Sequence, residues 1–240
     1  MTAKLLQLVN SAFFGIQQHV ADPQRAASIL GLNTITALVL SVKVFSQYDA
    51  RLMRSLEFSS LMQHGVQVGS YSRCIARTAG VSRQAEEVAF TAGLLHDVGR
   101  VILATSLSDQ YRQVNGLLAH ERMTVFEAEE RVFGASHAEV GAYLLGLWGL
   151  PDSLVEDVAY HHQPGGTLAR GFTPLTAVHV GNCLAREQEP RTASLGQPTT
   201  IDEPYLATIG QAAGRNRMLT AFTSDIRTTD PEEGSDDRKH

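Results

Sequence analysis

Ala92-Gly93-Leu94-Leu95-His96-Asp97-Val98-Gly99-Arg100 decides how the rest of this 240-residue chain is read. Adjacent imidazole and carboxylate groups stand here at the end of an apolar helical run, just before a glycine. Upstream, Leu61, His64, Val68 and Ile75 recur at spacings of three, four and seven. Such spacings return to one helical face, so His64 points inward. Downstream, His137, Val140, Gly141, Leu144 and Trp148 make a second inward stripe with His137 in its first turn. His161 and His162 end a helix whose buried face carries Leu154, Val155 and Val158, and Leu175, Val178, His179 and Asn182 repeat the pattern with Asn182 on the buried side.

The helix starts are written in capping chemistry. Asp22-Pro23 sets a cap before a proline at the first helical position, and Thr124-x-x-Glu127 and Ser136-x-x-Glu139 are both capping boxes. From Asn33, the residues Ile35, Leu38, Val39, Val42 and Phe45 keep the period of one buried helical face. Hairpin signals are missing, and short connections such as Thr78-Ala79-Gly80-Val81 and Gly149-Leu150-Pro151 separate about eight to ten helices before Glu187. The expectation is an all-α, compact multi-helix bundle over residues 1–190. After Glu189-Pro190 the composition shifts to Thr, Ser, Gln and Pro. Residues 191–227 therefore read as a linker, Arg191 to Thr200, and a C-terminal extension in which Asp202 to Ala213 form one more helix. Residues 228–240 are polar with no large apolar side chain, the composition of a disordered tail.

With 43% hydrophobic and 19% charged residues the chain can bury a sizeable core. Its net charge of -5 and pI near 6.0 give no global electrostatic reason to bind nucleic acid. Cys74 and Cys183 are far apart and form no CxxC pair, so neither a disulfide scaffold nor a zinc knuckle is expected. No apolar run reaches the roughly 18 to 20 residues that span a bilayer, and no signal peptide follows Met1. A cytoplasmic protein with reduced thiols and no membrane contact fits best.

Imidazoles and a carboxylate converging from several helices of a bundle can hold a divalent transition metal, and such an ion can activate water against a phosphoester. Each residue also has a plainer reading. An inward histidine can be a hydrogen-bonded core residue, Asp97 can cap the helix beginning at Val98, and His161 and His162 can cap a helix C-terminus. Residue types alone leave both readings open.

The order of these residues is similar to the HD phosphohydrolase superfamily: a histidine, a His-Asp pair about thirty residues on, another histidine, a His-His pair and a polar residue on the last core helix. Three passages resemble, within it, the HDOD family of bacterial signalling domains. They are Leu5-Leu6-Gln7-Leu8-Val9-Asn10-Ser11-Ala12-Phe13-Phe14-Gly15, the His96-Asp97 stretch, and Ser136-His137-Ala138-Glu139-Val140-Gly141-Ala142 through Trp148-Gly149-Leu150-Pro151 to His161-His162-Gln163-Pro164. The resemblance runs from residue 1 to 187. It implies an HD-type helical bundle and a role in bacterial signal output, commonly in two-component systems alongside receiver or other sensory domains.

It also implies that His64, His96, Asp97, His137, His161 and His162 match positions that hold metals in the related HD-GYP phosphodiesterases. Asn182 stands where the enzymes carry an aspartate ligand, and Arg100 where they carry a lysine. No Gly-Tyr-Pro follows His161-His162. A neutral amide does not offset metal charge, Asp97 is the only carboxylate among the matched positions, and Arg100 replaces a point charge with a planar fork. These departures predict no metal or one divalent ion (Fe, Mn or Zn). The function expected is an output module acting by protein or ligand binding without turnover, its partners being signalling proteins such as a receiver domain or kinase, a nucleotide, or a second copy in a homodimer. The rival is a metal-dependent phosphohydrolase of nucleotides or cyclic dinucleotides, with Asp97 and Arg100 as catalytic candidates. Between them lies a nucleotide sensor without turnover. Because the family usually has helices before the motif at Leu5, the chain is also expected to expose Leu5, Leu8, Val9, Phe13 and Phe14 and to self-associate.

Overall fold

The computed structural model describes residues 22–30, 58–189 and 200–210, together with Asn10, Val20, Ile35 and Val39. Among them every regular element is helical. In order these are α1 (Pro23–Leu30), α2 (Phe58–Thr78), α3 (Arg83–Leu95), α4 (Val98–Ser106), α5 (Ser108–His120), α6 (Val125–Phe133), α7 (His137–Leu147), α8 (Asp152–Ala159), α9 (Pro174–Gln188) and α10 (Glu203–Thr208), with a 3-10 turn at Pro164–Gly166. The all-α bundle read from periodicity is what forms.

Local chemistry starts and stops these helices where the sequence says. Thr124 and Ser136 close both capping boxes, their backbone N–H groups donating to Glu127 at 2.7 Å and Glu139 at 2.8 Å. Asp22 accepts from the Gln24 backbone N–H at 3.2 Å and so caps α1. Gly134 ends α6 with φ of 71°, a left-handed conformation that costs glycine no Cβ clash.

Helix α9 is buried at every residue from Leu175 to Ala185, which makes it the axis of the bundle. It packs against α2, α3 and α8. Glycines bring backbones unusually close at the two crossings that shape the site. A Cβ on Gly69 of α2 would lie 2.8 Å from the Phe90 carbonyl oxygen, and one on Gly93 of α3 would lie 2.9 Å from the Gly69 backbone. A Cβ on Gly99 of α4 would overlap the His137 carbonyl oxygen, so the start of α4 lies directly on the start of α7. The His96-Asp97 corner is thereby held against His137.

Several expectations shift in detail. The buried stripe of α7 is His137, Ala138, Gly141, Ala142 and Leu145, with Val140, Leu144 and Trp148 only partly buried. Helix α8 stops at Ala159, and His161 and His162 lie in the turn beyond it. Among the described residues the last helix is the short α10, while 211–213 of the expected helix lie outside them, and α10 is part of the core: Tyr205 and Leu206 pack with Ile75, Ala89, Val180 and Leu184. Ile35 is buried and Val39 partly so, as their period predicts, while Leu38, Val42 and Phe45 fall outside the described residues. So do residues 191–199 of the linker, the tail from 228, and Leu5, Leu8, Val9, Phe13 and Phe14. Arg83–Ser106 has the length and mean hydropathy of a membrane span, but it is two helices bent at His96-Asp97 and mostly buried within the fold.

Candidate metal centre

Asp97 occupies the N-cap position of α4 yet makes no cap hydrogen bond, which removes the plainer reading of this residue. Its side chain turns into the bundle, 5% exposed. Oδ1 lies 3.1 Å from His137 Nε2 and 3.4 Å from His96 Nε2. Oδ2 accepts from Arg186 at 3.0 Å and Arg100 at 3.1 Å, with His64 Nε2 at 3.9 Å. All six predicted ligand residues are thus drawn together around one carboxylate, from α2, the α3–α4 corner, α7 and the turn after α8.

Several of the rings are anchored through Nδ1. The Nδ1–H of His96 donates to the Gly93 carbonyl at 2.7 Å and that of His161 to the Val158 carbonyl at 2.7 Å. The Nδ1–H of His137 donates to Glu129 at 2.5 Å, and His64 Nδ1 lies 2.6 Å from the Glu189 carboxylate. The Nε2 atoms of His96, His137 and His161 are left facing the centre. Those of His96 and His161 are fully buried and find no hydrogen-bond partner. A buried polar atom left unsatisfied costs about 1–3 kcal/mol, so two side by side call for a ligand. Asp97, His137, His161 and His162 offer ligand atoms all within 4.8 Å of one another, and so do His64, His96 and Asp97. Neutral imidazole nitrogens plus a carboxylate oxygen, with carboxylates behind the rings, are the donor set of a borderline divalent ion such as zinc, iron or manganese. The residues present fit such an ion.

Electrostatics sort the histidines. Burial drives His96 down to about 3, and burial with the neighbouring imidazoles holds His161 and His162 well below the usual histidine range. For His137 burial is outweighed by Glu129 and Asp97, which raise it to about 9. Burial would raise Asp97, but His96, Arg100 and His137 together hold it well below the usual carboxylate range. His137 is therefore the cationic ring, with His162 Nε2 3.0 Å from its Nε2.

Three charged residues of this site carry no motif. Glu129 of α6 is fully buried and accepts from the Tyr111 hydroxyl at 3.1 Å and from the backbone and ring of His137. Its sequence signal was a carboxylate inside the stripe Val125, Ala128, Glu129. Arg186 lies four residues beyond Asn182 on α9, so the stripe His179, Asn182 simply continues by one turn. Glu189 ends α9 and joins His64 to Arg186. Asn182 is where the spacing put it, its Oδ1 3.1 Å from His64 Nε2. His179 is structural: it donates to the His161 carbonyl at 2.8 Å and accepts from the Asp202 N–H at 2.9 Å, tying α10 to the turn that carries His161.

Comparison with known proteins agrees with this architecture. The family model described as HDOD domain matches residues 1–164. A solved HDOD domain protein of unknown function from Geobacter sulfurreducens superposes with a TM-score of 0.71 at 24% identity, covering 95% of this chain and 79% of that one. A provisionally named signal transduction protein from Marinobacter aquaeolei VT8 gives 0.62 at 16% identity, covering 95% and 51%. A provisionally named phosphohydrolase from Shewanella amazonensis SB2B gives 0.59 at 17% identity, covering 95% and 91%. At these identities the likeness is one of fold. An uncharacterized protein of Treponema pallidum (strain Nichols) is 25% identical over 165 residues, which are 68% of this chain and 31% of that protein, so the chain spans about a third of that relative's length.

Proposed function

The chain belongs to the HDOD domain family, and from that membership we propose that it is a signal-transduction output module whose histidine cage holds one divalent transition ion and does not turn over a phosphoester. The observation that carries the metal is the pair of orphaned buried Nε2 atoms on His96 and His161 beside Asp97, each ring fixed by its own Nδ1–H bond. Asp97, His137, His161 and His162 would hold the ion, with His161 supplying one of the two orphaned atoms, while the His96 Nε2 belongs to the neighbouring donor group of His64, His96 and Asp97. An ion there supplies Lewis acidity and a lowered pKa for bound water.

The absence of turnover rests on the surroundings. Catalytic metal centres keep an open position for water and substrate. Here His96, Asp97, His137 and His161 are 0–5% exposed. Arg100 and Arg186 both spend hydrogen bonds on Asp97 rather than facing outward to a phosphate. Output then passes through surfaces outside the cage to signalling proteins, a receiver domain or kinase among them, in the cytoplasm. The name of the Marinobacter protein supports that direction. The name of the Shewanella protein and the guanidinium of Arg100 beside Asp97 favour the second reading, a phosphohydrolase acting on a nucleotide or cyclic dinucleotide.

Metal analysis of the chain purified without chelator, run beside a hydrolysis assay on bis-(p-nitrophenyl) phosphate and cyclic dinucleotides, separates the readings. One ion per chain and no turnover are expected. Turnover abolished by Asp97→Ala would make the protein a phosphohydrolase, and a metal-free chain would make the cage purely structural.

A further inference from the structure

The two donor groups of the cage, Asp97 with His137, His161 and His162 and Asp97 with His64 and His96, share the Asp97 carboxylate, which is the layout of a centre for two ions. The two sides are not furnished alike. Oδ1 faces His137 at 3.1 Å and His96 at 3.4 Å, and the Nε2 atoms of His96 and His161 have no hydrogen-bond partner. On the Oδ2 side the chain has placed cations of its own, Arg186 at 3.0 Å and Arg100 at 3.1 Å. Arg186 is held there by a second bond: its Nη1 donates to Glu189 at 2.8 Å, and Glu189 also lies 2.6 Å from His64 Nδ1. The planar guanidinium thus bridges two carboxylates, a geometry a lysine cannot reproduce. The remaining ligand position of that side is the neutral Asn182. Its Oδ1 lies 3.1 Å from His64 Nε2, so the amide, which carries no charge, takes up that ring nitrogen.

We propose that Arg186 is a built-in substitute for a second divalent ion. Its guanidinium neutralises Asp97 Oδ2 and keeps metal off the His64 side, so the cage is mononuclear with its ion on the His137, His161 and His162 side. Asn182 and Arg186 form one unit, four residues apart on the same face of α9: a carboxylate is missing at the first and a positive charge stands at the second. Arg186 is a positioning residue, and its role rests on the metal reading of the preceding section.

The test is the stoichiometry of Mn2+ bound to the full chain, by titration calorimetry and by the Mn(II) paramagnetic resonance spectrum, for wild type, Arg186→Lys, Arg186→Gln and Arg186→Gln with Asn182→Asp. Wild type and Arg186→Lys should bind one equivalent as an isolated ion. The double variant should bind two, with the spectrum of a magnetically coupled pair. Two equivalents in wild type would overturn the role of Arg186 and leave the metal reading standing. None in wild type would overturn both. One equivalent in a double variant whose circular dichroism matches wild type would also overturn it, and should that variant not fold, Arg186→Gln alone decides: binding of a second, weaker equivalent of Mn2+ supports the role of Arg186, and a single equivalent with wild-type affinity overturns it.

Discussion

Asp157, near the end of α8 and outside the cage, shows how single residues set the pH response of this fold. It is 5% exposed, one of its oxygens has no partner, and burial with the neighbouring Glu156 pushes its carboxyl up to about 7 against the help of the Leu175 backbone N–H. A carboxyl whose folded pKa lies above its unfolded value of 3.8 binds a proton more readily in the native state. Its contribution is therefore full at low pH, falls as pH rises from about 4 to about 7, and is constant above. The span is at most about 4 kcal/mol at ~1.4 kcal/mol per pH unit. Asp157→Asn should unfold at higher denaturant than wild type at pH 8 and show a flatter profile from pH 4.5 to 8. Parallel profiles for the two proteins would refute the assignment. Within the cage, Asp97→Ala should remove bound metal altogether. It should also cost about 3–5 kcal/mol, because Arg100 and Arg186 then face each other without their common anion. Metal content equal to wild type in the folded variant would sink the ligand role of Asp97.

At the scale of elements the decisive contacts are backbone on backbone. Gly99→Ala puts a methyl group into the His137 carbonyl, and because that atom is backbone, α4 and α7 must move apart. We expect a loss of about 1–3 kcal/mol or more, as overpacking costs in a tight interior, and weaker metal binding as Asp97 retreats from His137. Val98→Ala, one residue away and also buried, leaves the crossing intact and should lose stability without losing metal. Equal metal affinity in the two variants would show that the crossing does not position the site. Helix starts were legible because capping is local: Thr124 and Ser136 bond within three residues of themselves. The face of α7 was harder. Leu144, Leu145, Leu147 and Trp148 put apolar side chains on most of its circumference, so periodicity does not single out the side that Ala138, Ala142 and Leu145 bury. Glu129, Arg186 and Glu189 were not legible as site residues. A lone charge on a helix is ordinarily solvated, and only the approach of Tyr111, His137, His64 and Asp97 from other elements makes these three charges internal. The histidines and Asp97 were legible because imidazole and carboxylate recurring on inward faces is unusual composition for a core.

For the whole molecule the cage is where distant parts of the chain meet. His64 comes from α2, Asp97 from the α3–α4 corner, His137 from α7, and His161 and His162 from the turn after α8. Through the backbone of His161 the same point reaches His179 of α9 and Asp202 before α10. An ion joining four of these residues binds the folded chain and has no preformed site in the unfolded one, so it adds RT ln(1 + [M]/Kd) to stability. At a free concentration one hundred times Kd that is about 2.7 kcal/mol. For a domain of this size each kcal/mol moves the midpoint by roughly 2–4 °C. Stripping the chain with a chelator should therefore lower Tm by about 5–10 °C, and readding Mn2+ or Zn2+ should restore it in a concentration-dependent way. Asp97→Ala should show no chelator effect, since it lacks the central ligand. The shift should shrink at acid pH, because His137 must give up the proton it holds with a pKa of about 9 before its Nε2 can serve an ion. A wild-type melting point indifferent to chelator and to added metal at pH 8 would mean that the two buried Nε2 atoms are tolerated as they stand, and that packing and the Asp97 ion pairs alone hold these helices together.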